Sequence, residues 1–199
     1  LRRHRLAFMY APSFHPTLRA MAPLRRSLGF RTVFNIMGPL LNPADVRRQL
    51  VGVFSQELVV PVAETLGELG AIEAMVVHGA DGADEISISA PTMIAHLRDG
   101  RVQLKTVAPE DFGLTRAVPE TIVGAGPDQN ARILANVLIG EPGPRRDMVM
   151  LNTAAALVVG GRAEDIPEGL SIARRTLESG KALALLDQMK EDLSLGATP

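Results

Sequence analysis

The chain has 199 residues, 46% hydrophobic and 22% charged, a balance that supports a packed core and excludes a disordered polypeptide. The absence of cysteine excludes disulfides and thiolate chemistry, and no apolar run approaches the ~20 residues of a membrane-spanning helix. Net charge is −1, yet residues 1–50 hold nine arginines, no lysine and one acid, Asp45, a net of +8 that leaves −9 for the remainder. An all-arginine basic quarter suits a carboxylate or phosphate partner, because the guanidinium fork matches both anions. A solvated arginine-rich surface is the plain alternative.

Leu1-Arg2-Arg3-His4-Arg5 leads into an apolar run too short for a secretory leader, and the expected location is cytoplasmic. Residues 6–10 are apolar and end at Pro12, which reads as a short buried strand. Residues 13–28 carry a helical stripe of Leu18, Met21, Ala22, Leu24 and Leu28, with Ser13 or His15 as N-cap, Pro16 in the first turn and Pro23 as a kink. A second short helix is expected over 32–37, with Gly38-Pro39 and Asn42-Pro43 marking its exit. Asn35 and Asn42 read as turn or cap residues.

A strand over 49–54, a helix from Ser55 to about Leu69 and a strand over 71–78 have the spacing of a crossover between parallel strands. His78 reads as a histidine at the end of that strand. Residues 86–106 read as β-structure, with a hairpin at Asp99-Gly100. A turn is expected at 109–113. Helices are expected over 128–139, over 144–159 and from Glu168 to about Lys190, the last with a possible break at Gly180. There is no internal repeat.

The stretch between the strand over 71–78 and the β-rich region, Gly79-Ala-Asp-Gly-Ala-Asp-Glu85, places three carboxylates in five residues, at the carboxyl end of a strand where α/β sheets bind ligands. Oxygen ligands without nearby His–Cys sets favour a hard cation, Mg²⁺ before Ca²⁺, and the spacing is not that of an EF-hand. Mg²⁺ takes one or two protein carboxylates and completes its shell with water and phosphate, which suits a phosphorylated co-substrate. A solvated acidic turn remains the alternative for this loop taken alone.

Two motifs, R-T-V-F-N-I-M-G-P-L-L-N-P at 31–43 and V-V-H-G-A-D-G-A-D-E at 76–85, resemble the signatures of anthranilate phosphoribosyltransferases. F-M-Y-A-P-S-F-H-P at 8–16, P-E-D-F-G-L at 109–114, L-N-T-A-A-A-L at 151–157 and S-G-K-A at 179–182 follow in the same order, so the resemblance covers nearly the whole chain. It implies an α/β fold with a mixed, largely parallel sheet flanked by helices. Residues 1–199 would be a truncated α/β phosphoribosyltransferase domain, with the helical segment 14–43 packing against a small helical domain. It also implies a glycosyltransferase of tryptophan biosynthesis, homodimeric and cytoplasmic. The amine of anthranilate would attack C1′ of phosphoribosyl pyrophosphate, and pyrophosphate would leave with Mg²⁺ assistance. Residue by residue, Arg25 matches the arginine that meets the anthranilate carboxylate, His15 the histidine lining the same pocket, and Asp84 and Glu85 the Mg²⁺ ligands.

The family's Gly-rich G-T-G-G-D phosphate loop does not occur in the 199 residues, so the chain reads as the carboxyl-terminal part of a longer enzyme and is expected to be inactive alone. Two alternatives stand beside this reading. One is a pyrimidine nucleoside phosphorylase of related fold. The other is a non-enzymatic nucleic-acid-binding relative; six Phe, one Tyr and no Trp supply no base-stacking set for it.

Overall fold

The computed structural model describes residues 3–9, 11–14, 27, 32 and 35–196. Two units emerge, Leu1–Val46 and Arg47–Pro199. In the first, the described residues include two single helical turns, α1 at Ala11–Phe14 and α2 at Met37–Leu40, and Ser27 has helical backbone. The strand expected over 6–10 is not found: residues 6–9 have no regular structure, and Leu6 and Phe8 are 50% and 85% exposed. A short apolar run becomes a strand only with a ladder partner and a face to bury, and among the described residues this one has neither. Most of the helix expected over 13–28 lies outside the described residues. Ser13 sits inside α1 rather than capping a helix.

Of the helix expected over 32–37, residues 33 and 34 lie outside the described residues; α2 begins at Met37, and Gly38-Pro39 lies inside it instead of marking its exit. Proline is tolerated there because N–H groups of a first turn have no intrahelical acceptor. Asn35 and Asn42 do serve turns. Asn35 Oδ1 accepts from the Thr32 N–H at 2.9 Å, and Asn42 Oδ1 accepts from the Ala44 N–H at 3.0 Å.

The second unit is built on a four-stranded sheet of order β1-β2-β3-β4: β1 Arg48–Gly52, β2 Glu73–Gly79, β3 Thr92–Arg98 and β4 Arg101–Val107. Helix α3, Val59–Glu68, makes the crossover from β1 to β2, which pair in parallel with Gly52 opposite Val77. A 3₁₀ turn, Gln56–Leu58, precedes α3, and the Ser55 side chain makes no cap bond there. The sheet is mixed and flanked by helices, as expected, but within this chain it is not largely parallel. β2 pairs antiparallel with β3, and β3 with β4. The reason is local: Asp99 and Gly100 join β3 to β4 in a two-residue hairpin, which allows only antiparallel neighbours.

The expectation of β-structure at 86–90 also fails. Ile86 and Ile88 are fully buried, so the alternation of apolar and polar residues records burial of a loop, not a ladder. Side chains satisfy its backbone instead; Thr92 Oγ1, for example, accepts from the Ser87 N–H at 2.9 Å.

The remaining helices are α4 Pro127–Leu138, α5 Pro144–Val159, α6 Ile166–Glu178 and α7 Lys181–Gly196. α6 starts two residues before its expected position, because Asp165 Oδ1 caps it by accepting from the Glu168 N–H at 2.9 Å. Central strand β2 is buried along nearly its whole length. Its Met75 and Val77 join Leu151, Ala155 and Val158 of α5 in the main core cluster, together with Ile86 and Ile94. The alternate residues Ala74 and Val76 point to the other face, against which α3 packs with Val59, Val62, Ala63 and Leu66.

The two ends of β1 and β2 are finished differently. At the amino end Glu73, 4% exposed, accepts from Arg48 Nη1 at 2.7 Å and lies 3.0 Å from His96 Nε2. Arg48 Nη1 also donates to the Val159 carbonyl at 2.6 Å, tying the end of α5 to the sheet. The carboxyl end carries the acidic loop.

α5 and α6 approach closely at Gly169, where a Cβ would fall 2.7 Å from the Ala154 carbonyl oxygen and 2.8 Å from the Ala154 Cα. Both contacts are backbone, so neither can swing aside. Gly169→Ala is expected to lower the unfolding free energy by about 1–3 kcal/mol, the usual cost of overpacking. Urea denaturation followed by circular dichroism checks this, and an unchanged midpoint would contradict the close packing.

Candidate functional site

The loop at 79–85 leaves β2 at its carboxyl end and folds back on itself. The Gly79 N–H donates to the Ala83 carbonyl at 2.8 Å, and the Gly82 N–H to the Gly79 carbonyl at 2.8 Å. Its far side rests on β1. The Asp84 carbonyl occupies the space a Cβ on residue 52 would need, so only glycine lets this loop lie against the strand end.

The three carboxylates are not equivalent. Asp81, also exposed, folds back on its own loop and accepts from Ala83 N–H at 3.2 Å, from Ser87 Oγ at 2.6 Å and from Ser89 Oγ. Burial opposes its charge, but the hydrogen bonds from Ser87, Ser89 and Ala83 outweigh burial and hold its carboxyl below the usual range. Asp81 is therefore a brace of the loop. Asp84 and Glu85 are exposed, and neither side chain has a hydrogen bond or ion pair among the described residues. Burial first, and the neighbouring Asp84 charge second, push the Glu85 carboxyl upward.

A cleft of about 690 Å³ opens beside this pair. Leu50, Gly52 and Val77 form its floor, and α4 and α5 contribute Ile133, Leu134, Val149 and Asn152. Arg145, at the start of α5, also lines it and donates from Nη2 to the Val123 carbonyl at 2.9 Å. Two asparagines in the lining each hold both backbone polar groups of a single residue with the two ends of a side-chain amide. Asn130 Oδ1 accepts from the Ala125 N–H, and its Nδ2 donates to the Ala125 carbonyl, both at 2.8 Å. Asn152 Oδ1 accepts from the Ile86 N–H and its Nδ2 donates to the Ile86 carbonyl, both at 2.9 Å.

No group of three or more His, Cys, Asp or Glu side chains among the described residues is arranged to hold a metal. Two adjacent carboxylates with no side-chain partner among the described residues nevertheless fit Mg²⁺, which fills its shell largely with water and phosphate oxygens. The mutual repulsion felt by Glu85 is what a cation would relieve.

Of the residues singled out in the sequence, Asp84 and Glu85 stand together at this cleft, whereas His15 and Arg25 lie outside the described residues. His78 is half-buried at the end of β2, with Nδ1 2.8 Å from the Val53 carbonyl oxygen. Sequence reading missed Gly52, Asn130 and Asn152. For Asn152 a signal existed: a poor helix former in the middle of an apolar helical stripe asks for a partner that compensates it.

The glycosyl transferase family, a/b domain, matches residues 1–183. The chain belongs to that family. It is 50% identical, over 94% of its length, to the anthranilate phosphoribosyltransferase of Symbiobacterium thermophilum, of which it covers 54%. The crystal structure of the Thermus thermophilus anthranilate phosphoribosyltransferase superposes with a TM-score of 0.80 at 40% identity, covering 87% of this chain and 51% of that one. The Saccharomyces cerevisiae anthranilate phosphoribosyltransferase in complex with PRPP and Mg superposes with a TM-score of 0.81 at 29% identity, covering 90% and 52%. The chain thus spans about half the length of the curated relatives it matches. No helix among its described residues is long and apolar enough to cross a membrane.

A folded-state pKa held below its unfolded value contributes stability above the unfolded pKa, lost as pH falls through the folded one. Asp81→Asn is accordingly expected to lower the denaturation midpoint at pH 7, with the gap to the parent protein closing below about pH 4. Urea melts across that range test it; a gap unchanged down to pH 3 would show that the Asp81 charge does not brace the loop.

Proposed function

We propose that the chain is the α/β portion of an anthranilate phosphoribosyltransferase, joining the anthranilate amine to the phosphoribosyl group of phosphoribosyl pyrophosphate. The observation that carries this reading is the outward-facing pair Asp84 and Glu85, without a side-chain partner among the described residues, beside a large cleft at the carboxyl end of the parallel pair β1–β2. The yeast neighbour's complex with PRPP and Mg supports the same substrate and metal classes for this chain. In the reaction the N–C1′ bond forms as the bond from C1′ to the pyrophosphate oxygen breaks, and the amine loses a proton. Mg²⁺ held by Asp84 and Glu85 would offset the charge of the leaving pyrophosphate.

The chain's own residues do the rest of the work assigned to them here. Asp81, with Ser87 and Ser89, closes the loop so that its two neighbours face outward. Apolar Leu50, Val77, Ile133 and Leu134 line the cleft and limit water at the reacting centre. Arg25 is assigned to the anthranilate carboxylate through bidentate hydrogen bonds, and His15 to the wall of the same pocket. Residues 14–43 are assigned to packing against a small helical domain, in a cytoplasmic homodimer.

Assay of the protein containing this chain, by the loss of anthranilate fluorescence with phosphoribosyl pyrophosphate and Mg²⁺, tests the reading. Asp84→Asn with Glu85→Gln is expected to shift the Mg²⁺ dependence at least ~10-fold, and Arg25→Ala to raise KM for anthranilate more than KM for the phosphoribosyl donor. Phosphorolysis of a pyrimidine nucleoside in place of anthranilate consumption would overturn the assignment. An unaltered Mg²⁺ titration would overturn the ligand pair.

A further inference from the structure

We propose that Asn152 is a positioning residue for the acidic pair, fixing where Asp84 and Glu85 present their carboxylates; this rests on the reading of that pair as the metal ligands. Asn152 lies in the middle of α5, between Leu151 and Thr153, in a helix that is otherwise mostly apolar. Asparagine costs more than half a kcal/mol against alanine in a helix interior, because its amide competes with the backbone. Here the amide is fully engaged. Oδ1 accepts from the Ile86 N–H at 2.9 Å, while Nδ2 donates to the Ile86 carbonyl at 2.9 Å and to the Met148 carbonyl at 3.0 Å. One side chain thereby grips both polar groups of the residue that directly follows Glu85.

The Ile86 side chain is held as well. It is fully buried and belongs to the same core cluster as Leu151 and Ala155, which flank Asn152 on α5. Residue 86 is therefore fixed by both its backbone and its side chain. On the other side of the pair, the Asp84 carbonyl rests on the bare Cα of Gly52. The two carboxylates stand between these two anchors, exposed and making no bond of their own to the described residues. Their direction must then be inherited from the backbone, and Asn152 is the polar group that sets it from the carboxyl-terminal side. Only an amide fits this role: a carboxylate at 152 could accept from the Ile86 N–H but would face the Ile86 and Met148 carbonyls with no hydrogen to donate.

The test uses Mn²⁺ as an electron-paramagnetic-resonance probe of the metal site, with thermal unfolding measured in parallel. Asn152→Leu, which keeps the branched heavy-atom skeleton, removes all three bonds and is expected to weaken Mn²⁺ binding about tenfold. Asn152→Asp keeps one bond and places a further negative charge beside the pair. Charge alone would tighten cation binding in that variant, whereas the positioning role predicts weaker binding in spite of it. The double variant Asp84→Asn, Glu85→Gln serves as the reference for lost ligands. If that variant loses Mn²⁺ while Asn152→Leu binds normally, or while Asn152→Asp binds more tightly, the positioning role falls and the metal assignment stands. If the parent protein binds no Mn²⁺, or the double variant binds it unchanged, both fall together. A lower melting temperature with unaltered Mn²⁺ affinity would mark Asn152 as a structural residue and overturn the proposal.

Discussion

Where β1 ends, two stretches of backbone lie against each other with no side chain between them. The Asp84 carbonyl occupies the volume that a Cβ at Gly52 would require. The contact joins the last residue of one strand to a loop that leaves its parallel neighbour, and it is possible only because Gly52 pairs opposite Val77, one residue before His78 and two before the loop begins. The register of β1 on β2, the path of the loop and the outward stance of Asp84 and Glu85 are therefore one constraint. A one-residue slip of β1 would bring a side chain, Val51 or Val53, to this point and close it.

The same pair of strands separates stability from chemistry along its length. At the amino end, the buried Glu73 is met by Arg48 and by His96, and Arg48 continues to the carbonyl of Val159 at the end of α5. Every partner there is internal to the fold. At the carboxyl end, one acid, Asp81, is satisfied internally, and Asp84 and Glu85 have no such bond among the described residues. Parallel strands make this division natural, since both loops that follow β1 and β2 emerge at the same edge. α5 serves both ends. Its last turn is tied down by Arg48, its middle carries the core through Leu151, Ala154 and Ala155, and Asn152 reaches the loop.

Much of this was legible in the sequence, and the part that was not has a common cause. The β1–α3–β2 crossover, the hairpin at Asp99-Gly100 and helices α4 and α5 follow from periodicity and from Gly and Pro punctuation, which are local signals. The acidic loop was legible as a loop because a carboxylate triplet cannot continue a buried strand. Residues 6–10 and 86–90 misled for opposite reasons. The first run is apolar, but its residues 6–9 have no partner strand among the described residues; the second alternates like a strand while its backbone is satisfied by Asn152 and Thr92. The division of labour among Asp81, Asp84 and Glu85 depends on Ser87, Ser89 and Gly52, and the last is far away in sequence. No window of the chain contains that information.

A carboxylate pair left without partners is unfavourable by itself. Glu85 carries the mark, since burial and the adjacent Asp84 push its carboxyl upward, whereas Asp81 three and four residues away is held down by the hydroxyls of Ser87 and Ser89. A fold optimised for stability alone would fold one of the two back on the loop, as Asp81 is folded, or place a basic side chain beside them. Instead the loop is anchored through its backbone, at Gly52 and at Ile86, which keeps the two carboxylates at adjacent positions beside the cleft. A cation bound at the pair would relieve that repulsion. Preorganisation of this kind explains why residues with no charge, a glycine and an asparagine, belong to the same device as the acids they hold.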